Sequence, residues 1–178
     1  LKRENLFGTA SYSGEDAGRT AQYQAEARRV QLAESFASID DYLKSLEMVG
    51  AARAFDSFNV PRISQLTQRS NQFNLRTMRY SEADIARIAA DGRYITRYFT
   101  LRDKFGDHGL ISVVIMEKRG DALFVDTWLM SCRVLKRDME CAMMDELVRL
   151  AKEKGADKIR GFYYPTAKNK MVKEFYAD

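Results

Sequence analysis

Three runs decide the fold: Tyr94–Leu101 (YITRYFTL), Leu110–Met116 (LISVVIM) and Ala122–Met130 (ALFVDTWLM). The first alternates and is rich in aromatic and β-branched residues; the other two are nearly unbroken apolar stretches. Glycines at 106, 109 and 120 punctuate the short segments between them. Strand and turn at that spacing predict a three-stranded antiparallel meander. With the second turn at Lys118–Asp121, Glu117 faces Ala122, and the ladder then sets His108 opposite Ser131.

Downstream, Met139, Met143, Leu147 and Leu150 recur at helical spacing, which predicts a helix over Met139–Lys154 closed by Gly155. A strand over Asp157–Tyr163 and a final helix over Ala167–Ala177 complete this side. Upstream, Ser81-Glu82-Ala83-Asp84 is a capping box that opens a helix burying Ile85, Ile88 and Ala89 and ending at Gly92. Pro61 suits the first turn of another helix, whose apolar face is Ile63, Leu66, Ser70 and Phe73. Met48–Phe55 reads as a first strand. Before it, Ser13-Gly14-Glu15-Asp16 and Ser38-Ile39-Asp40-Asp41 open two mostly polar helices, an arm rather than a core. The expected domains are a linker over 1–12, a helical arm over 13–47 and a compact domain over 48–178. The class is α+β, an α/β sandwich with a mixed, mostly antiparallel sheet flanked by helices and an N-terminal helical extension.

At 178 residues the chain is long enough for one core without staples. Beginning at Leu1, it reads as a piece of something longer. No apolar run approaches the roughly 20 residues of a membrane-spanning helix, and no leader pattern opens the chain. A cytoplasmic location is the expectation, with no membrane partner. The balance of 29 Lys and Arg against 25 Asp and Glu is a mild excess, interspersed along the helices as solvated faces. It forms no stripe interleaved with aromatics, which argues against nucleic acid. Two cysteines and one histidine cannot build a Cys/His zinc site, so no metal is expected.

The element order resembles the GNAT acyltransferase fold. The signature of that fold, an Arg or Gln followed by x-x-Gly-x-Gly or Ala, falls here on Ser131-Cys132-Arg133-Val134-Leu135-Lys136-Arg137-Asp138, with Lys136 and Asp138 at the glycine positions. Asn169, Val172 and Tyr176 match a second spacing on the last helix. The strings Gln68–Leu75 (QRSNQFNL), Phe105–Gly109 (FGDHG) and Tyr164–Asn169 (YPTAKN) resemble, more narrowly, the C-terminal domain of FkbH-like proteins. These join a haloacid-dehalogenase (HAD) type phosphatase domain to a GNAT-like domain and serve methoxymalonyl-type polyketide biosynthesis.

The resemblance implies an acyltransferase-like domain that moves or holds an acyl or glyceryl group on the phosphopantetheine arm of an acyl carrier protein. Its partners would be that carrier and a phosphatase domain, whose Asp-x-Asp motif this sequence lacks. It also implies that the last strands of the GNAT fold are outside the chain. The cofactor would be a phosphopantetheine thioester (acyl-ACP) or acyl-CoA, seated along 131–138 at a helix N-terminus, with Asn169 beside it. Lys136 and Asp138 remove the close approach that glycine allows, and Asp138 can cap the helix itself. This leaves a working site and a relic both open. Tyr176 stands where related enzymes protonate the leaving thiolate. Against that, it is an aromatic core residue beside Phe175. His108 is a general base near Ser131, or a turn histidine. Asn71, Gln72 and Asn74 either bind the acyl group or form a helix exit. Cys132 is either an acyl-accepting nucleophile or a small buried hydrophobe, and strand alternation, which turns it away from His108, favours the second. The competing functions are a non-catalytic docking module, whose Lys152, Lys154, Lys168, Lys170 and Lys173 receive an acidic carrier, and, more weakly, an acetyl-CoA-dependent N-acetyltransferase.

Overall fold

The computed structural model describes residues 14–176, with side chains from Thr20 onward. The linker expected over 1–12, the Ser13 cap with its acidic partner, and the end of the expected last helix lie outside the described residues. The described residues divide into two compact units, 14–48 with Asp103–Asp107, and Val49–Arg102 with 108–176.

In the smaller unit, α1 (Gly14–Glu34) and α2 (Ile39–Ser45) match the two polar helices. Ser38 precedes α2 in extended conformation, but its side chain caps nothing, so the second capping box does not form. Asp103 is the organiser the sequence did not announce. Its carboxylate takes a bidentate pair from Arg29, Nε at 2.7 Å and Nη2 at 2.8 Å, with both side chains buried. The same carboxylate accepts from the backbone N–H groups of Phe105 and Gly106, which bends the tip of a hairpin. A buried ion pair survives desolvation only when its spare lone pairs are filled, as they are here.

The larger unit is a six-stranded sheet between helices. Its elements are β1 (Val49–Arg53), α3 (Val60–Arg69), β2 (Phe73–Asn74), α4 (Glu82–Ala90), β3 (Tyr94–Asp103), β4 (Gly106–Arg119), β5 (Ala122–Met130), α5 (Met139–Glu153) and β6 (Lys158–Gly161). The strand order is β1-β3-β4-β5-β2, with β6 also on β5. β1 and β2 run antiparallel to their neighbours, while β6 runs parallel to β5. Ile63 and Leu66 of α3 and Ile85 and Ile88 of α4 form one cluster with Tyr98, Val113, Ile115 and Leu129 of the sheet. Val114 and Met116, fully buried, alternate to the other face, which explains why the β4 run is unbroken: both of its faces are covered.

Several elements differ from expectation. The Ser81 capping box forms as read, with Ser81 Oγ accepting from Asp84 N and Asp84 Oδ2 from Ser81 N, each at 3.1 Å. Ala89 is exposed, however, and Asp91, not a left-handed Gly92, ends that helix. Phe73 is not on α3 but in β2, two residues long and invisible to periodicity. Gly109 lies inside β4 rather than in a turn. No α-helix follows β6 among the described residues; a single 3-10 turn, Lys170–Val172, stands there. Lys168, Asn169 and Lys170 beside Pro165 and Thr166 supply turn chemistry that overrides the apolar spacing of 172 and 175–176.

Helix α5 is fixed to the sheet by charge as well as by Met143 and Leu147. Glu146 accepts from Arg97 of β3 at 2.8 Å and from Arg149 at 2.7 Å. Arg149 first, with Arg97 behind it, holds Glu146 down at about 2 against the burial that would raise it. Because the folded value lies below the ordinary 4.5, the stabilisation is complete above that pH and is lost as pH falls toward 2. The thermal midpoint should therefore drop through this window in the parent domain and drop less in Glu146→Gln. A variant with an equally steep acid limb would remove this pair as its source.

Candidate functional site: a strand edge shared by two partners, and a basic cleft

Everything at the site is set by the outer edge of β5. The hairpin closes two residues later than expected: Arg119 pairs with Ala122 across Gly120, whose φ is +58°. Met116 then faces Val125, but Ile115 faces Thr127, so Asp126 is an extra residue, a bulge on β5. Both shifts move His108 away from Ser131. The residue bonded to Ser131 N is Ile111, through its carbonyl at 2.7 Å. The pairing expected for His108 is thus wrong by the turn length and the bulge together.

The bulge also divides the opposite edge. β6 pairs with β5 from Ala122↔Lys158 to Val125↔Gly161 and stops there. Past the bulge, the same edge is taken by β2, Phe73↔Met130 and Asn74↔Leu129, extended by Leu75 N donating to Trp128 O at 3.1 Å. A strand has two edges and β4 holds the other, so β2 and β6 share this one. The segment of β5 past the bulge is hydrogen-bonded by the chain's own residues 73–75.

Polar side chains hold this arrangement. Asp126 accepts from Tyr80 Oη at 2.5 Å, Arg76 Nη1 at 2.5 Å and Thr127 Oγ1 at 2.9 Å. Burial, then the bond to Asp126, pushes the Tyr80 phenol up to about 12, so it remains a donor. Asn169, fully buried, donates through Nδ2 to Asn74 O and Tyr164 O, each at 2.9 Å, and accepts from Thr166 N at 2.7 Å. Asn74, also fully buried, donates to Ser70 O at 3.1 Å and accepts from Thr77 N at 2.7 Å. Both amides are spent inside the fold. Tyr176 lays its ring over Gly161, where a Cβ would stand 2.0 Å from its Cζ. Beside it, Phe175 meets Trp128 and Phe73 edge-on at 4.9 and 5.1 Å. Burial pushes the Tyr176 phenol above its ordinary value.

After β5 the chain turns through a 3-10 segment, Cys132–Val134. Strand alternation therefore ends before Cys132, whose side chain is exposed rather than buried. Ser131 is buried and accepts from Arg133 Nε at 3.3 Å; Val134 is fully buried and Leu135 half-buried. Lys136 and Asp138 adopt φ of +62° and +55°, the left-handed conformation for which glycine is the usual choice. Asp138 makes no capping bond, contrary to the reading of it as a cap for α5. Arg137 is buried with Nη1 3.1 Å from His108 Nε2. A guanidinium only donates, so that nitrogen accepts and its lone pair is engaged.

A cleft of about 770 Å³ opens where β5 ends. Ser131, Cys132 and Arg133 line it with Asn71 and Gln72, which brings five of the sequence candidates together. Tyr176, His108, Asn74, Asn169 and the stretch 134–138 do not line it. The sequence reading missed Arg62 and Arg69, which form its α3 wall; Lys168, named for the docking face, lines it too. Their signal was available: 62, 65/66 and 69 fall on one helical face. Among the described residues, no carboxylate lines the cleft. Burial first, then repulsion from Arg133 and Arg69, lowers the pKa of the half-buried Arg62. Among the described residues, no group of three or more His, Cys, Asp or Glu is placed to hold a metal ion, and no helix is long and apolar enough to cross a membrane.

No protein-family model matches the sequence, and no curated protein matches it. Solved structures do. The chain is similar to the ribosomal-protein-S18-alanine N-acetyltransferase of Escherichia coli, at 14% identity over 72% of this chain and 75% of that one, with a TM-score of 0.54. It is similar to Ard1 of Thermoplasma volcanium, at 14% identity over 72% and 80%, with a TM-score of 0.54. It is also similar to Rv2747 of Mycobacterium tuberculosis, solved in complex with CoA and NLQ, at 13% identity over 71% and 68%, with a TM-score of 0.52. This chain has the GNAT fold. At these identities the likeness shows fold alone.

Two substitutions test the geometry. Gly161→Ala should displace the Tyr176 ring and cost about 1–3 kcal/mol in denaturant unfolding, a cost that mostly vanishes in a Tyr176→Ala background. Equal costs in both backgrounds would mean the ring is not over Gly161. Asn169→Asp keeps the acceptor but loses both Nδ2 donations, and should destabilise by at least about 2 kcal/mol; an unchanged denaturation midpoint would count against the latch.

Proposed function

We propose that this domain holds or transfers an acyl or glyceryl group on the phosphopantetheine arm of an acyl carrier protein, within an FkbH-like biosynthetic protein that pairs it with a HAD-type phosphatase domain. The observation that carries this reading is the cleft. A GNAT-fold sheet ends in a basic opening whose floor is the strand terminus Ser131–Arg133 and whose rim carries the amides of Asn71 and Gln72. Its volume suits one extended small-molecule arm, within the range of about 300–1,000 Å³ usual for such sites.

In this reading Arg133 and the amides of Asn71 and Gln72 orient the thioester and donate to the oxygen that gains charge during transfer. The thiol of the arm leaves as thiolate and must be protonated. Tyr176 lies over Gly161 and outside the cleft, so it does not serve that step there; the side chains lining the cleft that carry a transferable proton include the Lys168 ammonium and the Cys132 thiol. A holding role, in which the arm is bound and oriented for chemistry elsewhere, needs no such acid.

One observation favours the second reading, a non-catalytic docking module. The β5 edge past the bulge is already bonded by β2, and the buried Asn74 and Asn169 are engaged within the fold, Asn169 through both of its Nδ2 donors. Lys152, Lys154, Lys168, Lys170 and Lys173 are all exposed for an acidic carrier. The same edge occupancy weighs most against an acetyl-CoA-dependent N-acetyltransferase, although the N-acetylglutamate synthase of Neisseria gonorrhoeae, similar at 11% identity, is complexed with coenzyme A.

Calorimetric titration of the domain with holo-carrier, apo-carrier and acetyl-CoA separates the three. Arm recognition predicts holo-carrier binding at least about tenfold tighter than apo, a difference of about 1.4 kcal/mol. Equal affinity for both carriers leaves docking, and binding of acetyl-CoA alone restores the acetyltransferase.

A further inference from the structure

The cleft carries more charge than its neighbours can answer. Arg62 and Arg69 descend from α3, Arg133 from the 3-10 turn after β5, and Lys168 from the loop after β6. Elsewhere Arg76 is paired with Asp126, and Arg97 and Arg149 with Glu146, while Arg79 beside the cleft is held by the Thr67 and Ser70 carbonyls and the Asn71 amide oxygen. Arg62 instead bonds the neutral Gln65, and Arg133 the neutral Ser131 hydroxyl. Like charges gathered in one recess, with Arg62 half-buried among them, repel one another unless something of opposite sign arrives.

Three cations of this kind, each guanidinium with a planar fork of donors, suit a particular anion. A carboxylate has two oxygens and is satisfied by one bidentate arginine. A phosphate ester has more unbridged oxygens and more charge, and it is the group for which several converging arginines are the usual complement. We propose that Arg62, Arg69 and Arg133, with Lys168 at the rim, form a side-chain seat for the phosphate of an organic phosphate ester. This rests on the arm-binding reading only for the identity of that ester. The phosphate is then gripped by side chains across the cleft, from α3 as well as from the strand terminus, rather than by backbone N–H groups alone. The apolar faces of Leu66, Met130 and Ala167 give the organic part a surface to lie on.

The two possible sources of the phosphate separate in solution. Pantetheine 4′-phosphate, pantetheine and inorganic phosphate are titrated into the domain at two salt concentrations, in the parent and in Arg62→Met and Arg133→Met. The seat predicts that pantetheine 4′-phosphate binds at least tenfold tighter than pantetheine, more weakly at high salt. It also predicts that each arginine loss costs roughly tenfold, the scale of a charge-assisted hydrogen bond. Relief of repulsion predicts in addition that Arg62→Met does not lower the thermal midpoint of the ligand-free domain and raises it at low salt, opposite to a residue kept for packing.

If inorganic phosphate binds as tightly as pantetheine 4′-phosphate and Arg62→Met weakens it, the seat stands and the arm reading falls. If pantetheine binds as well as its phosphate, if nothing binds, or if both variants bind like the parent, the seat is overturned. A fall in the ligand-free midpoint of Arg62→Met overturns it as well.

Discussion

The outer edge of β5 is a finite resource, and the whole domain is arranged by how it is divided. Strand β4 saturates one side. On the other, β6 takes the four residues before the Asp126 bulge and β2 the residues after it. A bulge bends a strand and interrupts its ladder, so one partner cannot follow the edge through. The parallel strand leaves, and a short antiparallel piece fills the vacated register. Without that piece, backbone groups of residues 128–130 would face a buried gap with no partner, at a cost of 1–3 kcal/mol for each.

Two residues make a poor strand, and β2 does not persist on backbone bonds alone. It is clamped by a buried amide on each side. Asn74 ties it back to the end of α3, and Asn169 ties it to the loop after β6. Phe73 adds an apolar anchor against Phe175 and Trp128. The amide-rich stretch 71–74 thus performs two different tasks a few residues apart. Asn71 and Gln72 project into the cleft, while Asn74 is consumed by the fold. The cleft lies at the end of β5 because the edge itself is taken.

Most of the fold was legible because its signals are local. The bounds of β5, the helix after Asp138, Pro61 in the first turn of α3 and the Ser81 box follow from pattern and capping chemistry that act within a few residues. What was not legible depends on distant partners. The bulge at Asp126 is held by Tyr80 and Arg76, some fifty residues upstream, and nothing in VDTW announces it. One inserted residue and a turn two residues tighter than expected were enough to part His108 from Ser131. The last segment was misread for a related reason: its apolar residues are spaced to fit a helix, but they pack singly against Gly161, Phe73 and Trp128 rather than along one face. At the site, residues named from the family spacing were scattered: Ser131, Cys132 and Arg133 reach the cleft, Asn169 is buried in the fold, and Lys136, Asp138 and Tyr176 are exposed outside the cleft. Of the two α3 arginines, Arg62 lies outside any signature, and Arg69 stood inside the string Gln68–Leu75 without being given a role.

The loop before α5 bears on whether this end of the sheet is a remnant. Lys136 and Asp138 both hold left-handed backbone, which costs an L-residue on the order of 1 kcal/mol each. Neither side chain recovers that cost by capping, since Asp138 bonds no backbone N–H of the helix. The conformation is imposed instead by the residues between and around them. Val134, Arg137 and Met139 are all buried, and fixing three such anchors across six residues leaves the chain few paths, of which the glycine-like one is taken. The shape of the loop is therefore a consequence of packing in this chain and not evidence of a ligand. The cleft is different in kind. Packing alone would not gather Arg62, Arg69 and Arg133 around one opening with no carboxylate of the described residues among them, because that arrangement lowers stability and satisfies nothing inside the protein. Charge left unanswered by the fold is the feature here that asks for something from outside it.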